Sequence, residues 1–190
     1  MNIPVNIFID RLRNTDDSWG WVAILFHWLT AISVVAMFVL GLWMTGLSYY
    51  DTWYRTAPEI HKSTGVLLFL LTLVRLAWRG SGKVPAAISS HGPFEKKAAH
   101  VMHLLLYLVL FCVMLSGYLI STADGRAVEV FKLFEIPAII HGMDGQEDIA
   151  GDVHLALVIL LIALVVIHAA AAIRHHVVDR DRTLKRMLGL

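Results

Sequence analysis

Residues 154–168 read HLALVILLIALVVIH, thirteen apolar residues closed at each end by a histidine. No charge interrupts the run, and the apolar block around it extends over roughly 153–173. About 20 residues suffice for a helix to cross a bilayer, so this block reads as a membrane span. Fourteen residues of α-helix pass through nearly four whole turns and rise ~21 Å. The imidazoles of His154 and His168 are therefore expected on one face of one helix, at two depths in a hydrocarbon layer ~30 Å thick.

Three more blocks of the same character precede it, at roughly 21–47, 61–78 and 98–122. Across the 190 residues, 57% are hydrophobic and 16% charged. A soluble domain runs nearer 45–50% apolar and ~25% charged, so the composition excludes an ordinary soluble globule. The expectation is an all-α integral membrane four-helix bundle, a single transmembrane domain over residues 1–190. Residues 1–20 carry Asp10, Asp16 and Asp17 and lack the short apolar core and small-residue site of a cleaved signal, so the first span is expected to remain.

Orientation follows from the basic residues. Arg11 and Arg13 precede the first block; Arg79, Lys83, Lys96 and Lys97 lie between the second and third; Arg174, Arg180, Arg182, Lys185 and Arg186 follow the fourth. The other two connections hold Arg55, Lys62, Arg126 and Lys132 among acids such as Asp51, Glu129, Asp144, Glu147 and Asp148. Positive charge collects on the cytoplasmic side, so both termini and the 79–97 loop are expected to be cytoplasmic. Topology accounts for the clustered bases, and a net charge of +1 offers nothing to nucleic acid.

The first block fades into Ser48, Tyr49, Tyr50, Trp53 and Tyr54, aromatics that suit a membrane interface. Pro58 and Glu59 fit a first helical turn. Gly80, Gly82, Pro85, Gly92 and Pro93 mark a loop, with a third helix starting near Phe94–Glu95. The longest connection, roughly 123–150, includes the apolar runs Val128–Phe131 and Leu133–Ile140. They are too short to cross the bilayer and are expected along its periplasmic surface.

Two further histidines complete a pattern. In this topology His27, early in the first span, and His168, late in the fourth, both lie near the cytoplasmic face. His61 and His154 open the second and fourth spans on the periplasmic side. Imidazole is a common axial ligand of haem iron, so the depths pair His27 with His168 and His61 with His154. Each pair can clamp one iron of a b-type haem. The single cysteine, Cys112, and the absence of a Cys-x-x-Cys-His motif exclude thioether attachment.

The fourteen-residue interval also relates His27 to Gly41, His61 to Arg75 and His103 to Gly117. Glycine at such a position leaves room for a flat porphyrin. Arg75 is expected beside the cytoplasmic haem, where its guanidinium could hold a propionate bidentately; snorkelling to the interface is the rival explanation. A lone intramembrane histidine can equally be a helix–helix hydrogen-bonding group, but four at matched depths on three spans favour ligation. His100 and His103 could ligate in place of His27, contact a propionate or quinone, or simply sit at the interface. His175 and His176 read as interfacial, Trp28 as packing, and His91 and His141 as loop residues without an argued role.

The chain resembles the prokaryotic cytochrome b561 family, four-helix dihaem membrane cytochromes. The resemblance is carried by FHWL around His27, PEIHKSTG around His61, HAAAAIRHH from His168 to His176, and the terminal DRDRTLKRML. It implies two haem b groups on His27, His61, His154 and His168, and electron exchange with membrane ubiquinone. The other redox partner stays open between superoxide, a periplasmic protein and a dehydrogenase subunit. Lys62, Arg126 and Lys132 could attract superoxide, although acids in the same loops oppose them. A competing reading is a cytochrome b anchor subunit of a larger dehydrogenase or hydrogenase. A non-haem metal-binding or transport protein is disfavoured, because the spans hold no acid away from their ends.

Overall fold

The computed structural model describes residues 11–190. The expectation that residues 1–20 hold no cleaved signal thus falls partly outside the described residues. Among those residues, four helices are long and apolar enough to cross a membrane: α1 (Trp21–Thr45), α2 (Thr56–Gly80), α3 (Pro93–Thr122) and α4 (Gln146–Val177). A two-stranded hairpin, β1 (Val128–Val130) and β2 (Phe134–Ile136), lies between α3 and α4, and a short α5 (Thr183–Met187) closes the chain. The architecture is a membrane helical bundle, as expected.

The helices overrun the apolar blocks, because helix ends are set by caps and not by hydropathy. Helix α2 begins five residues before the expected 61, at Thr56, and α4 seven before the expected 153, at Gln146. Helix α3 opens on Pro93, whose missing N–H has no intrahelical partner there. The Glu95 carboxylate reaches back to accept the Gly92 backbone N–H at 2.9 Å, the returning half of a capping box.

Large apolar side chains point outward along the spans, among them Ile32, Val39, Leu104, Leu115 and Val166, while Thr72, Ser63, Ser116, Thr122, Ala57 and Ala150 are buried. Water would penalise so much exposed hydrocarbon, whereas lipid does not. Small and hydroxyl side chains inside let helices approach closely and hydrogen-bond.

Backbone contacts group the chain into two units, each of which takes a part of all four long helices. One contains the described residues up to Ala31 with Leu71–Leu104 and Leu164–Leu190; the other contains Ile32–Leu70 and Leu105–Ala163. In the first unit the C-terminal segment is tied down by polar contacts. Trp28 Nε1 donates to the Met187 carbonyl at 2.8 Å and Arg186 Nη1 to the Ala86 carbonyl at 2.9 Å. Trp28, read as packing, thus also supplies a hydrogen bond.

The hairpin belongs to the second unit. Its strands pair antiparallel with Val130 opposite Phe134, and Phe131 and Lys132 turn with positive φ, of 47° and 60°. Val128 and Val130 are buried and Glu129 is exposed. Ser63 of α2 holds the hairpin twice, donating to the Glu129 carbonyl at 3.3 Å and accepting the Phe131 N–H at 3.1 Å. The segment expected along the membrane surface is therefore a seated hairpin, with Leu133 and Ile139 still exposed. Tyr118, Thr122 and Gln146 bind the stretch after it. The Tyr118 hydroxyl donates to the Pro137 carbonyl at 2.7 Å, and Gln146 Nε2 donates to the Leu119 and Ile140 carbonyls at 3.0 and 3.2 Å.

Candidate functional site: two histidine pairs

In the second unit α2 presents His61 and α4 presents His154, with ring centres 6.4 Å apart and planes inclined at 73°. In the first unit α1 presents His27 and α4 presents His168, with centres 6.3 Å apart and planes at 61°. A metal–imidazole bond is about 2 Å long and the ring centre lies about 1 Å beyond the bonded nitrogen. Two imidazoles sharing one iron are thus expected with centres about 6 Å apart. Both separations match that span, and both are too long for a direct hydrogen bond between rings to be their purpose.

The surroundings of the second pair suit ligands. His154 Nδ1 lies 3.0 Å from the Val113 carbonyl and 3.1 Å from Ser116 Oγ. Donation from Nδ1 to a carbonyl fixes the tautomer and leaves Nε2 with a free lone pair, the usual outer partner of a ligating histidine. His61 Nδ1 is buried without a hydrogen-bond partner, so the ring is not held there as a helix–helix hydrogen-bonding group. Glycines back both rings. A Cβ on Gly41 would lie 3.3 Å from His61 Cε1, and one on Gly117 3.1 Å from His154 Cε1. Sequence spacing singled out these glycines, but as room for a porphyrin; in the structure their open faces are against the imidazoles. Nothing in the sequence marked Ser116 and the Val113 carbonyl.

The first unit is more crowded. Arg75 Nη2 is 3.1 Å from His27 Nδ1, whereas the expected partner was a propionate. A guanidinium only donates, so here Nδ1 accepts and the His27 proton sits on Nε2. His103 lies nearer His168 than His27 does, at 5.3 Å between centres, but its side is exposed while His27, His61, His154 and His168 are half-buried. His100 is exposed.

The family model for prokaryotic cytochrome b561 matches residues 18–190. The chain belongs to the prokaryotic cytochrome b561 family. Cytochrome b561 homolog 2 of Escherichia coli (strain K12) is 48% identical over 176 residues, covering 93% of this chain and 94% of that protein. Cytochrome b561 homolog 1 of the same organism is 26% identical over 95% of this chain and 98% of its own length. A Yersinia pestis protein named probable superoxide oxidase CybB is 26% identical over 85% of this chain and 90% of its own. Membership of the family makes this a multi-pass bacterial membrane cytochrome binding b-type haem.

The three cations proposed from sequence for an anion come together. Lys62, Arg126 and Lys132 line one recess of about 470 Å³ in the second unit, with Glu59 and Glu129 beside them. Lys62 follows His61 directly in the chain. Arg126 is ion-paired with Asp124, which offsets part of its charge.

Proposed function

We propose that the chain, as one transmembrane domain over 1–190, is a dihaem b-type cytochrome of the inner membrane that exchanges electrons with ubiquinone, with both termini cytoplasmic. The observation that carries this is the ring-centre separation of 6.3 Å in one pair and 6.4 Å in the other, on helices that sequence depth had paired independently. His27 and His168 would hold one haem, His61 and His154 the other. Bound there, haem b supplies one-electron chemistry at its iron.

The chain's own residues do the rest. Val113 and Ser116 hold the His154 ring in one orientation, and Gly41 and Gly117 let α1 and α3 close against the imidazoles. Ligation through His27 Nε2 requires the ring proton on Nδ1, so the Arg75 guanidinium must leave that nitrogen. Freed, it is available to a propionate carboxylate in the same unit.

Superoxide is the donor that a specific feature favours. The recess brings Lys62, Arg126 and Lys132 beside the His61 position, against Glu59, Glu129 and the Asp124 that pairs with Arg126. Clustered cations raise the local concentration of a small anion. Reduced protein in liposomes should be oxidised by a short-chain ubiquinone at a saturable rate. Exchange no faster than that of free haem would instead support an anchor subunit of a dehydrogenase or hydrogenase.

A further inference from the structure

His91, His175 and Asp181 are far apart in sequence and belong to neither haem pair. The loop after α2 carries His91, the last turn of α4 carries His175, and Asp181 lies between α4 and α5. Their ligand atoms all fall within 4.8 Å of one another, the one such group of three or more among the described residues. All three side chains are largely shielded, at 15% exposure for each histidine and 7% for the aspartate. We propose that His91, His175 and Asp181 form a binding site for one divalent transition-metal cation, with zinc the best match.

The donor geometry is close to what a metal needs. Bonds of about 2.0–2.2 Å in a tetrahedron put donors about 3.3 Å apart. His175 Nδ1 is 3.3 Å from Asp181 Oδ2, and His91 Nε2 is 2.7 Å from the same oxygen. A shift below ~1 Å would open the second separation to the coordinated value. Asp181 Oδ1 accepts the Thr183 N–H at 2.7 Å, which orients the carboxylate, while Oδ2 is hydrogen-bonded to His91 Nε2, a contact that a cation between them would replace.

His175 supplies the more telling observation. Its Nδ1 is buried and has two carboxylate oxygens nearby, Asp179 at 2.9 Å and Asp181 at 3.3 Å, yet it makes no hydrogen bond. Neither oxygen lies where an N–H would aim. A lone pair directed to a cation that Asp181 also reaches removes the conflict. The two imidazoles are also nearly stacked, 4.6 Å between centres with planes 33° apart. Two imidazolium ions so placed would repel, while two neutral rings on one cation would not.

Two nitrogens with carboxylate oxygen suit zinc and its neighbours; calcium and magnesium prefer oxygen alone. Bound metal would staple the 81–92 loop to the segment after α4, where Arg186 already holds Ala86.

Untagged, haem-loaded protein in detergent is dialysed against zinc at buffered micromolar concentrations, and metal per chain is counted by mass spectrometry. One saturable zinc per chain is expected, lost in His91→Ala and in Asp181→Asn but kept in His141→Ala. An intact haem spectrum checks that each variant is folded. X-ray absorption at the zinc edge of the native protein serves if they are not, and should show two imidazoles plus oxygen. No saturable zinc, zinc indifferent to both substitutions, or a shell without two imidazoles would overturn the site and leave a hydrogen-bonded latch.

Discussion

Gly117→Ala isolates how tightly α3 fixes a proposed ligand. The added methyl would sit 3.1 Å from His154 Cε1 and 3.4 Å from Nδ1, inside the 3.5–4.0 Å at which carbon atoms attract best. The ring must retreat by a few tenths of an ångström. It cannot do so freely, because Nδ1 is held by the Val113 carbonyl at 3.0 Å and Ser116 Oγ at 3.1 Å. Overpacking of this kind costs about 1–3 kcal/mol, and weakening the hydrogen bond adds about 1 kcal/mol. Alanine is a better helix former than glycine by about 1 kcal/mol, which offsets the global part. The remaining cost falls on the site and weakens retention of the haem on His61 and His154 by about 1–3 kcal/mol, or roughly 5- to 150-fold. Gly41→Ala is the internal control. Its methyl meets His61 at 3.3 Å, but that ring has no hydrogen bond to break and can yield. Transfer of haem to excess apomyoglobin, followed spectrally, measures both variants. Equal retention in Gly117→Ala and wild type, or a larger loss in Gly41→Ala, would refute the reasoning.

Three other outcomes follow from the same geometry. His27→Ala and His168→Ala should each remove one haem, the same one, and His61→Ala and His154→Ala the other; loss in His103→Ala with retention in His27→Ala would break the pairing. Arg75→Leu should lower the potential of the haem on His27 and His168 and spare the other in resolved redox titrations. A nearby unit charge is worth about 2 kcal/mol at an effective dielectric of about 20, on the order of 50–100 mV, and an unchanged potential would return Arg75 to snorkelling. Lys62→Glu with Lys132→Glu should slow reduction by superoxide and reverse the sign of its salt dependence, whereas an unaltered rate would leave the recess without a role in that reaction.

The spans were legible because hydrocarbon imposes one demand, about 20 apolar residues, and four blocks meet it. Two first turns were legible as well, through Pro58 and Glu59 in α2 and through Phe94 and Glu95 in α3. Gln146 was not: it opens α4 outside its apolar block, where hydropathy is silent. The hairpin escaped notice because Phe131 and Lys132 take left-handed conformations usually given to asparagine and glycine. Three residues of alternation, Val128 to Val130, are too few to announce a strand. The histidine pairs were readable since helical spacing and span direction convert sequence position into depth. His91 was not: it sits in a loop 84 residues before His175, with no periodicity linking them. Arg75 was placed in the right neighbourhood, but its contact with His27 Nδ1 depends on rotamers that spacing does not encode.

The most direct measurement is a pyridine haemochrome count on purified protein, normalised to chain by amino-acid analysis, after acid–acetone extraction. Two extractable b haems per chain are expected from the pairs at 6.3 and 6.4 Å. One haem per chain would contradict the dihaem reading, as would haem that remains with the polypeptide after extraction.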